Sequence, residues 1–250
     1  MVKYLRSAAG QALCQALHRW YPKAEIIGID RDKDFIDFAE AQAPDICFLE
    51  DDAVRLSFDA ESFDVTIYNT VAEHVEPKKF FEEQRRVLKP GGVCLVLSSR
   101  CGINIMAPCI SEISAFEKEI WKRTQERCAE VDREYGVCAY PMSEAEYPKC
   151  MEAHGFRSVT TDYLTINLTP DNPTNSAEEA HAMIRAQLQI ALDGIDRLGH
   201  IASDLVSKDE ISEMNRLANA RYDKRLALYD AGVKQWDTSV SVTMVLRGIV

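Results

Sequence analysis

The sequence predicts an α/β fold, a parallel sheet with helices on both faces. Three observations predict it. Short apolar runs alternate with amphipathic stretches through the first hundred residues, which is the rhythm of β-α-β units. Pro22 ends the first helical stretch, and Pro90-Gly91-Gly92 stops a later one just before an apolar run. The 250 residues are 46 % hydrophobic, ample for a buried core.

Residues 24–30, AEIIGID, form the first unambiguous strand, an apolar run that ends in an acid. In KDFIDFAEAQA, residues Phe35, Phe38, Ala39 and Ala43 share a helical face. DICFLED (45–51) and SFDVTIYNT (62–70) are the next two strands. EPKKFFEEQRRVLKPGG then reads as a helix with Pro77 in its first turn and Pro90-Gly91-Gly92 as its stop. VCLVLSS (93–99) is almost wholly apolar and makes the fifth strand.

Beyond Ser99 the rhythm changes. A helix within 103–140 carries Ile113, Phe116, Ile120, Thr124, Cys128 and Val131 on one side. Ser143 and Glu146 form a capping box for a helix that stops at Gly155, and FRSVTTDYLTINL (156–168) is a sixth strand. Two long helices follow, boxed by Ser176/Glu179 and Ser207/Glu210. Their stripes are Ala180, Ile184, Leu188, Ala191, Ile195 and Leu198, then Ile211, Met214, Ala218, Tyr222 and Tyr229. They form a hairpin inserted before the last strand, TSVSVTMVLRGIV. The expected organisation is a core of 1–168 and 237–250, a helical insertion over 100–142, and the hairpin over 169–236.

The first twenty residues leave alternatives open. A sheet of this kind needs a strand before AEIIGID, followed by a turn and a helix. Yet Leu5, Ala8, Ala9, Ala12, Leu13, Ala16, Leu17 and Trp20 also fit one face of a single helix. A chain that starts late within a longer protein is a third reading.

A net charge of −11 argues against a nucleic-acid partner, because phosphate binding needs clustered Lys and Arg. No apolar run is long enough to span a bilayer, and no secretory pattern opens the chain, so the expected location is cytoplasmic with no membrane partner. Eight cysteines (14, 47, 94, 101, 109, 128, 138 and 150) lack any metal-ligand spacing and read as free thiols; no metal is expected.

Ligands bind such sheets at the carboxyl ends of the strands. Those ends carry Asp30, then Asp52 and Ala53 in EDDAVRLSF, then Asn69, then Ser98, Ser99 and Arg100. Asp30 can take a pair of ribose hydroxyls or cap the next helix. Asp52 can accept from an exocyclic amine or stand as a solvated loop acid.

EIIGID, DDAVRLSFDAESFDVTIYNTVAEHVEPKKFFEEQRRVLKPGG and EAHGFRSV together resemble the class I SAM-dependent methyltransferases. The similarity is to the small-molecule branch typified by quinone-biosynthesis enzymes. The resemblance implies a doubly wound seven-stranded sheet of order 3-2-1-4-5-7-6, with strand seven antiparallel. It implies S-adenosyl-L-methionine as cofactor and S-adenosyl-L-homocysteine as product. Asp30 would bind the ribose, with Arg31 beside the adenine face. Asp52 would take the adenine amine, Ala53 a ring nitrogen through its backbone, and Asn69 would lie near the methionine part. The family's loop after strand one reads acid-x-Gly-x-Gly-x-Gly; matched back from Asp30, those places fall on Tyr4, Arg6, Ala8 and Gly10, so only Gly10 keeps its identity and cofactor contacts fall to Ala8 and Gly10.

Methyl transfer needs a general base only where the acceptor must lose a proton. His74 is the nearest candidate, or else a histidine held by its turn. A small-molecule substrate would meet the added segments, with Arg100, Asn104, Tyr135 and Tyr140 facing a pocket and Met183, Tyr222 and Trp236 as lid residues. The hairpin also offers a homodimer surface. A non-catalytic binding or assembly protein with a degenerate cofactor loop is the alternative. An NAD-type oxidoreductase is disfavoured by RVLKPGG and the missing GxGxxG.

Overall fold

The computed structural model describes residues 2–7, 11–100, 105–107 and 112–250. Asn104, Ala8 and Gly10 lie outside the described residues. The chain divides into two compact units, residues 1–100, 136–164 and 242–250 in the first, and 101–135 with 165–241 in the second.

The first unit is a sheet with helices on both faces. β1 (Lys3–Ser7), β2 (Glu25–Asp30), β3 (Cys47–Glu50), β4 (Phe63–Asn69) and β5 (Leu88–Ser99) run parallel in the order β3-β2-β1-β4-β5. β8 (Thr238–Ile249) follows antiparallel to β5, and β7 (Arg157–Leu168) pairs with β8. This is the expected 3-2-1-4-5-7-6 order, with β8 as its strand seven and β7 as its strand six.

The first twenty residues thus split into strand and helix. β1 sits between β2 and β4, with Leu5 paired to Ile27 and Thr66, and α1 (Gln11–Trp20) follows. A continuous helix would leave both flanking strands with open ladder groups in the middle of a core, which costs more than helix propensity returns.

Alternation along β2 sorts the two faces. Ile26 joins Cys14 and Leu17 of α1 and Ile36 and Ala39 of α2 (Lys33–Gln42) on one side. Ile27 and Ile29 join Phe80 and Phe81 of α3 (Pro77–Val87), and Tyr147 and Met151 of α5 (Glu146–Ala153), on the other. Within α2 the buried residues are Ile36 and Ala39, whereas Phe35 and Phe38 are about half exposed. Of the face read from sequence, Ala39 and Ala43 are buried as expected, but the two phenylalanines are not, and Ile36 takes the large buried position instead. Ser143 and Glu146 make the reciprocal capping bonds expected ahead of α5.

Pro90-Gly91-Gly92 is not a stop followed by a turn but part of β5. Leu88 already pairs with Phe63, and the register shifts before Val93 meets Val65. Gly91 has φ +80, and a Cβ on Gly92 would stand 2.8 Å from the Lys89 carbonyl oxygen, so this irregularity demands both glycines. Beside it, Asp64 accepts from the Lys3 backbone N–H (2.8 Å) and from Lys89 Nζ (2.9 Å). Burial pushes the Asp64 carboxyl up, but those bonds prevail and hold it below its ordinary value.

The second unit holds β6 (Ile105–Ala107), which pairs with residues 238–240 of β8, and three helices, α4 (Ala115–Glu134), α6 (Ala177–Ile201) and α7 (Lys208–Asp230). Ser114, Ser176 and Ser207 cap these helices through complete capping boxes. Ile120, Ile195, Leu198, Val206, Met214 and Ala218 form its core. Charges are buried among them. Glu117 takes the place on α4 that sequence gave to Phe116, and both its oxygens accept from Arg221 Nη1 at 2.7 Å. Arg225, fully buried, donates to Asp171 and Asp237. No helix among the described residues is long and apolar enough to cross a membrane.

Candidate cofactor site

Because β2, β3 and β4 are parallel, Asp30, Glu50 and Asn69 end at one edge of the sheet. A cavity of about 180 Å³ opens there, lined by Asp30, Arg31, Asp51, Asp52, Ala53, Thr70, Val71, His74 and Val75. Five of the residues singled out in the sequence therefore meet: Asp30, Arg31, Asp52, Ala53 and His74.

Asp30 does not cap α2. That position belongs to Asp32, whose side chain accepts from the Asp34 N–H at 2.9 Å. Asp30 Oδ1 instead accepts from the Asp32 N–H at 3.0 Å, and the Asp30 carbonyl accepts from Asp51 N at 2.8 Å. The carboxylate is thereby oriented at the cavity wall. Across from it, Asp51 is consumed structurally, accepting from Asp52 N, Ser57 N and Ser57 Oγ. Asp52 Oδ1 accepts from Val54 N at 3.1 Å, which tightens the turn that brings Ala53 to the cavity.

That turn is clamped from α3 by residues of the FFEEQRRVLKPGG stretch. Gln84, fully buried, donates from Nε2 to the Ala53 carbonyl at 2.9 Å. Glu83 accepts from the Leu56 N–H at 2.6 Å and pairs with Arg86, which also donates to the carbonyls of Phe58 (2.8 Å) and Leu56 (3.1 Å). Burial works against the Glu83 carboxylate, but the Arg86 and Leu56 bonds hold its pKa below the ordinary value. Sequence reasoning missed this clamp. Its signal was the i, i+3 pair Glu83/Arg86 beside a glutamine on a helix that buries Phe80 and Phe81. Gln84→Leu leaves the Ala53 carbonyl without its buried donor, and an expected loss of about 1–3 kcal/mol follows. Urea unfolding checks it; an unchanged midpoint would mean that Gln84 does not hold the turn.

Thr70 sits at φ 54 on the cavity rim, an unusual place for a β-branched residue. It is held by its own N–H donating to the Leu97 carbonyl at 2.8 Å and its hydroxyl donating to the Asn69 carbonyl at 2.7 Å. Asn69 ends β4 without lining the cavity.

His74 is fixed differently from a free base. Its Nδ1 accepts the Cys138 backbone N–H at 2.9 Å. A backbone N–H can only donate, so the neutral imidazole carries its proton on Nε2 and offers a donor there. Beside it Glu73 has a buried Oε2 with no hydrogen-bond partner among the described residues, and burial raises its carboxyl pKa.

The substrate residues do not gather at this cavity. Arg100 donates to Glu144 (2.8 Å) and to the Met142 carbonyl (2.8 Å), and its guanidinium lies 5.5 Å over the Tyr147 ring. It braces residues 142–147. Tyr140 is exposed, with its N–H on the Glu73 carbonyl, and Tyr135 is exposed in the second unit. Tyr4 also departs from the place its alignment implied. It pairs with Ile26, four residues before the end of β2, and its ring stacks on Tyr21 in a cavity walled by Val2, Trp20, Tyr21 and Pro22 at the amino ends of the strands. It therefore stands away from the carboxyl-end cavity.

A doubly wound sheet with strand-end carboxylates over a cavity at its carboxyl edge defines a nucleotide-type binding fold of the Rossmann-like class. Residues 7–96 match the family model described as a methyltransferase domain. No curated protein sequence matches the chain. Among solved structures it is similar to the YcgJ protein of Bacillus subtilis, at 18 % identity, covering 99 % of this chain and 91 % of that one, with a TM-score of 0.52. It is similar to a candidate sarcosine dimethylglycine methyltransferase from Galdieria sulphuraria, at 16 % identity, 98 % and 78 % coverage and a TM-score of 0.50. It is also similar to phosphoethanolamine N-methyltransferase 2 of Haemonchus contortus in complex with S-adenosyl-L-methionine, at 15 % identity and a TM-score of 0.50. That match covers 99 % of this chain but spans about half, 48 %, of the Haemonchus chain. At these identities the likeness is one of fold.

Proposed function

We propose that the protein is a SAM-dependent methyltransferase acting on a small-molecule acceptor. The observation that carries this is the meeting of Asp30, Asp52 and Ala53 around one cavity at the carboxyl edge of a sheet built largely from residues 7–96, which match a methyltransferase family model. The donor set suits an adenosine group. The Asp30 carboxylate can take the two ribose hydroxyls, Asp52 the exocyclic amine, and the Ala53 backbone a ring nitrogen, while Val71 and Val75 offer an apolar wall. S-adenosyl-L-methionine, when bound, supplies a methyl group on a sulfonium, a leaving group that is already good. The chain's task is then to hold donor and acceptor in line and exclude water. An acceptor that had to lose a proton would meet a hydrogen-bond donor, not a base, at His74 Nε2.

A second reading is favoured by Arg6 and Ala8, which stand where the family has glycines: a methyltransferase-fold protein that binds or assembles without catalysis. Calorimetry with S-adenosyl-L-methionine and S-adenosyl-L-homocysteine separates the two. The methyltransferase reading expects saturable heat and a thermal upshift with both; silence at millimolar ligand would leave only the second.

A further inference from the structure

We infer that the second unit holds a binding site for a small organic ammonium ion, with Asp237 as its counter-ion. A cavity of about 200 Å³ lies within that unit; Ile113, Leu168, Met183, Ile184 and Tyr222 line part of it, and Gln187, Thr238, Ser239 and Asp237 add polar groups to the lining. No basic side chain lines it among the described residues. The volume lies below the roughly 300–1,000 Å³ of drug-sized sites, so the ligand is small.

The charge balance behind the cavity selects its sign. Arg225, fully buried, is the one cation shared by Asp171 and Asp237. Asp171 Oδ2 accepts from Gln235 N (2.8 Å), Trp236 N (2.8 Å) and Arg225 Nη2 (2.9 Å). Burial opposes its charge, yet these donors keep its pKa below the ordinary value, so it is an anion at neutral pH. Two carboxylates against one guanidinium leave one negative charge in excess. That excess belongs to the cluster as a whole, and Asp237, which accepts from Arg225 Nε and Nη2, is the member that lines the cavity.

A carboxylate in a recess of mixed apolar and neutral polar lining, with no basic side chain among the described residues, favours a cation over an anion. An ammonium carrying alkyl groups meets both halves of the wall: its charge pairs with Asp237, and its methyl or methylene groups lie on Met183, Ile184 and the Tyr222 ring. Aromatic faces attract such cations. Sequence pattern alone offered Met183 and Tyr222 as lid residues; here they share one recess, while Trp236 is about half exposed beneath Lys234.

This inference stands apart from methyl transfer, since the cofactor cavity lies wholly in the first unit. The test is a titration of the full chain, labelled at its methionine methyls, with tetramethylammonium chloride against sodium chloride at equal ionic strength. A saturable shift of the Met183 methyl, assigned through Met183→Leu, is expected with tetramethylammonium alone. Asp237→Asn should abolish it. Because Asp237→Asn also changes a member of the Arg225 cluster, Tyr222→Leu, which keeps Arg225, Asp171 and Asp237 all present, provides the second arm and should weaken binding about fivefold. Absence of a saturable shift up to about 100 mM, where even a Kd of about 10 mM would show, overturns the inference. So does a shift that Tyr222→Leu leaves unchanged. Calorimetry with S-adenosyl-L-methionine in the same samples reports on the first unit separately.

Discussion

Asp30→Ala is expected to weaken S-adenosyl-L-methionine binding by about 10- to 100-fold, the equivalent of losing a charge-assisted hydrogen-bonded contact of about 1.5–3 kcal/mol. The carboxylate stands at the end of β2 and its Oδ1 is already fixed by the Asp32 N–H, so its orientation is set before a ligand arrives. Preorganisation of this kind is what makes one side chain matter. Asp32→Ala serves as the neighbouring control. It removes the cap of α2 and should cost about 1 kcal/mol of stability while sparing affinity. Isothermal calorimetry on both variants checks the pair of expectations, and equal affinity in Asp30→Ala and the parent would remove Asp30 from the ribose.

The largest effect on stability is expected at Arg225. Arg225→Met strips the shared cation from Asp171 and Asp237 and leaves two buried or half-buried carboxylates facing each other, a loss of about 3–5 kcal/mol. For a chain of this size that is roughly 10 °C or more in Tm. Scanning calorimetry of Arg225→Met, and of the same variant carrying Asp237→Asn, measures it. The second change should restore part of the loss, because it removes the repulsion. Failure to restore any would locate the effect in packing rather than charge.

Much of the architecture could be read without coordinates, because strands buried on both faces must be apolar for their whole length. EIIGID and VCLVLSS announce themselves for that reason. The splitting of the first twenty residues could be settled only by the partners of β1 on either side, since an alanine-rich helix and a short strand carry overlapping patterns. Charged residues inside an apolar stripe were invisible for a different reason. Glu117 and Arg225 look like solvated positions on their own helices, and partners outside those helices, Arg221 for the first and Asp171 and Asp237 for the second, neutralise them. At the cavity, strand-end acids could be found by position. Gln84 could not, because its acceptor is a backbone carbonyl, which leaves no mark on the sequence.

Glu83, Gln84 and Arg86 clamp the turn at Ala53 from behind, and none of the three lines the cavity. The most recognisable text in the chain therefore spells a bracket, not an instrument. On the proposed function, a descendant that kept this bracket and exchanged Asp30 or Asp52 would be grouped with its relatives by sequence while losing its ligand. Kinship and competence are thus written in different residues, and only the second set lies open to the cavity.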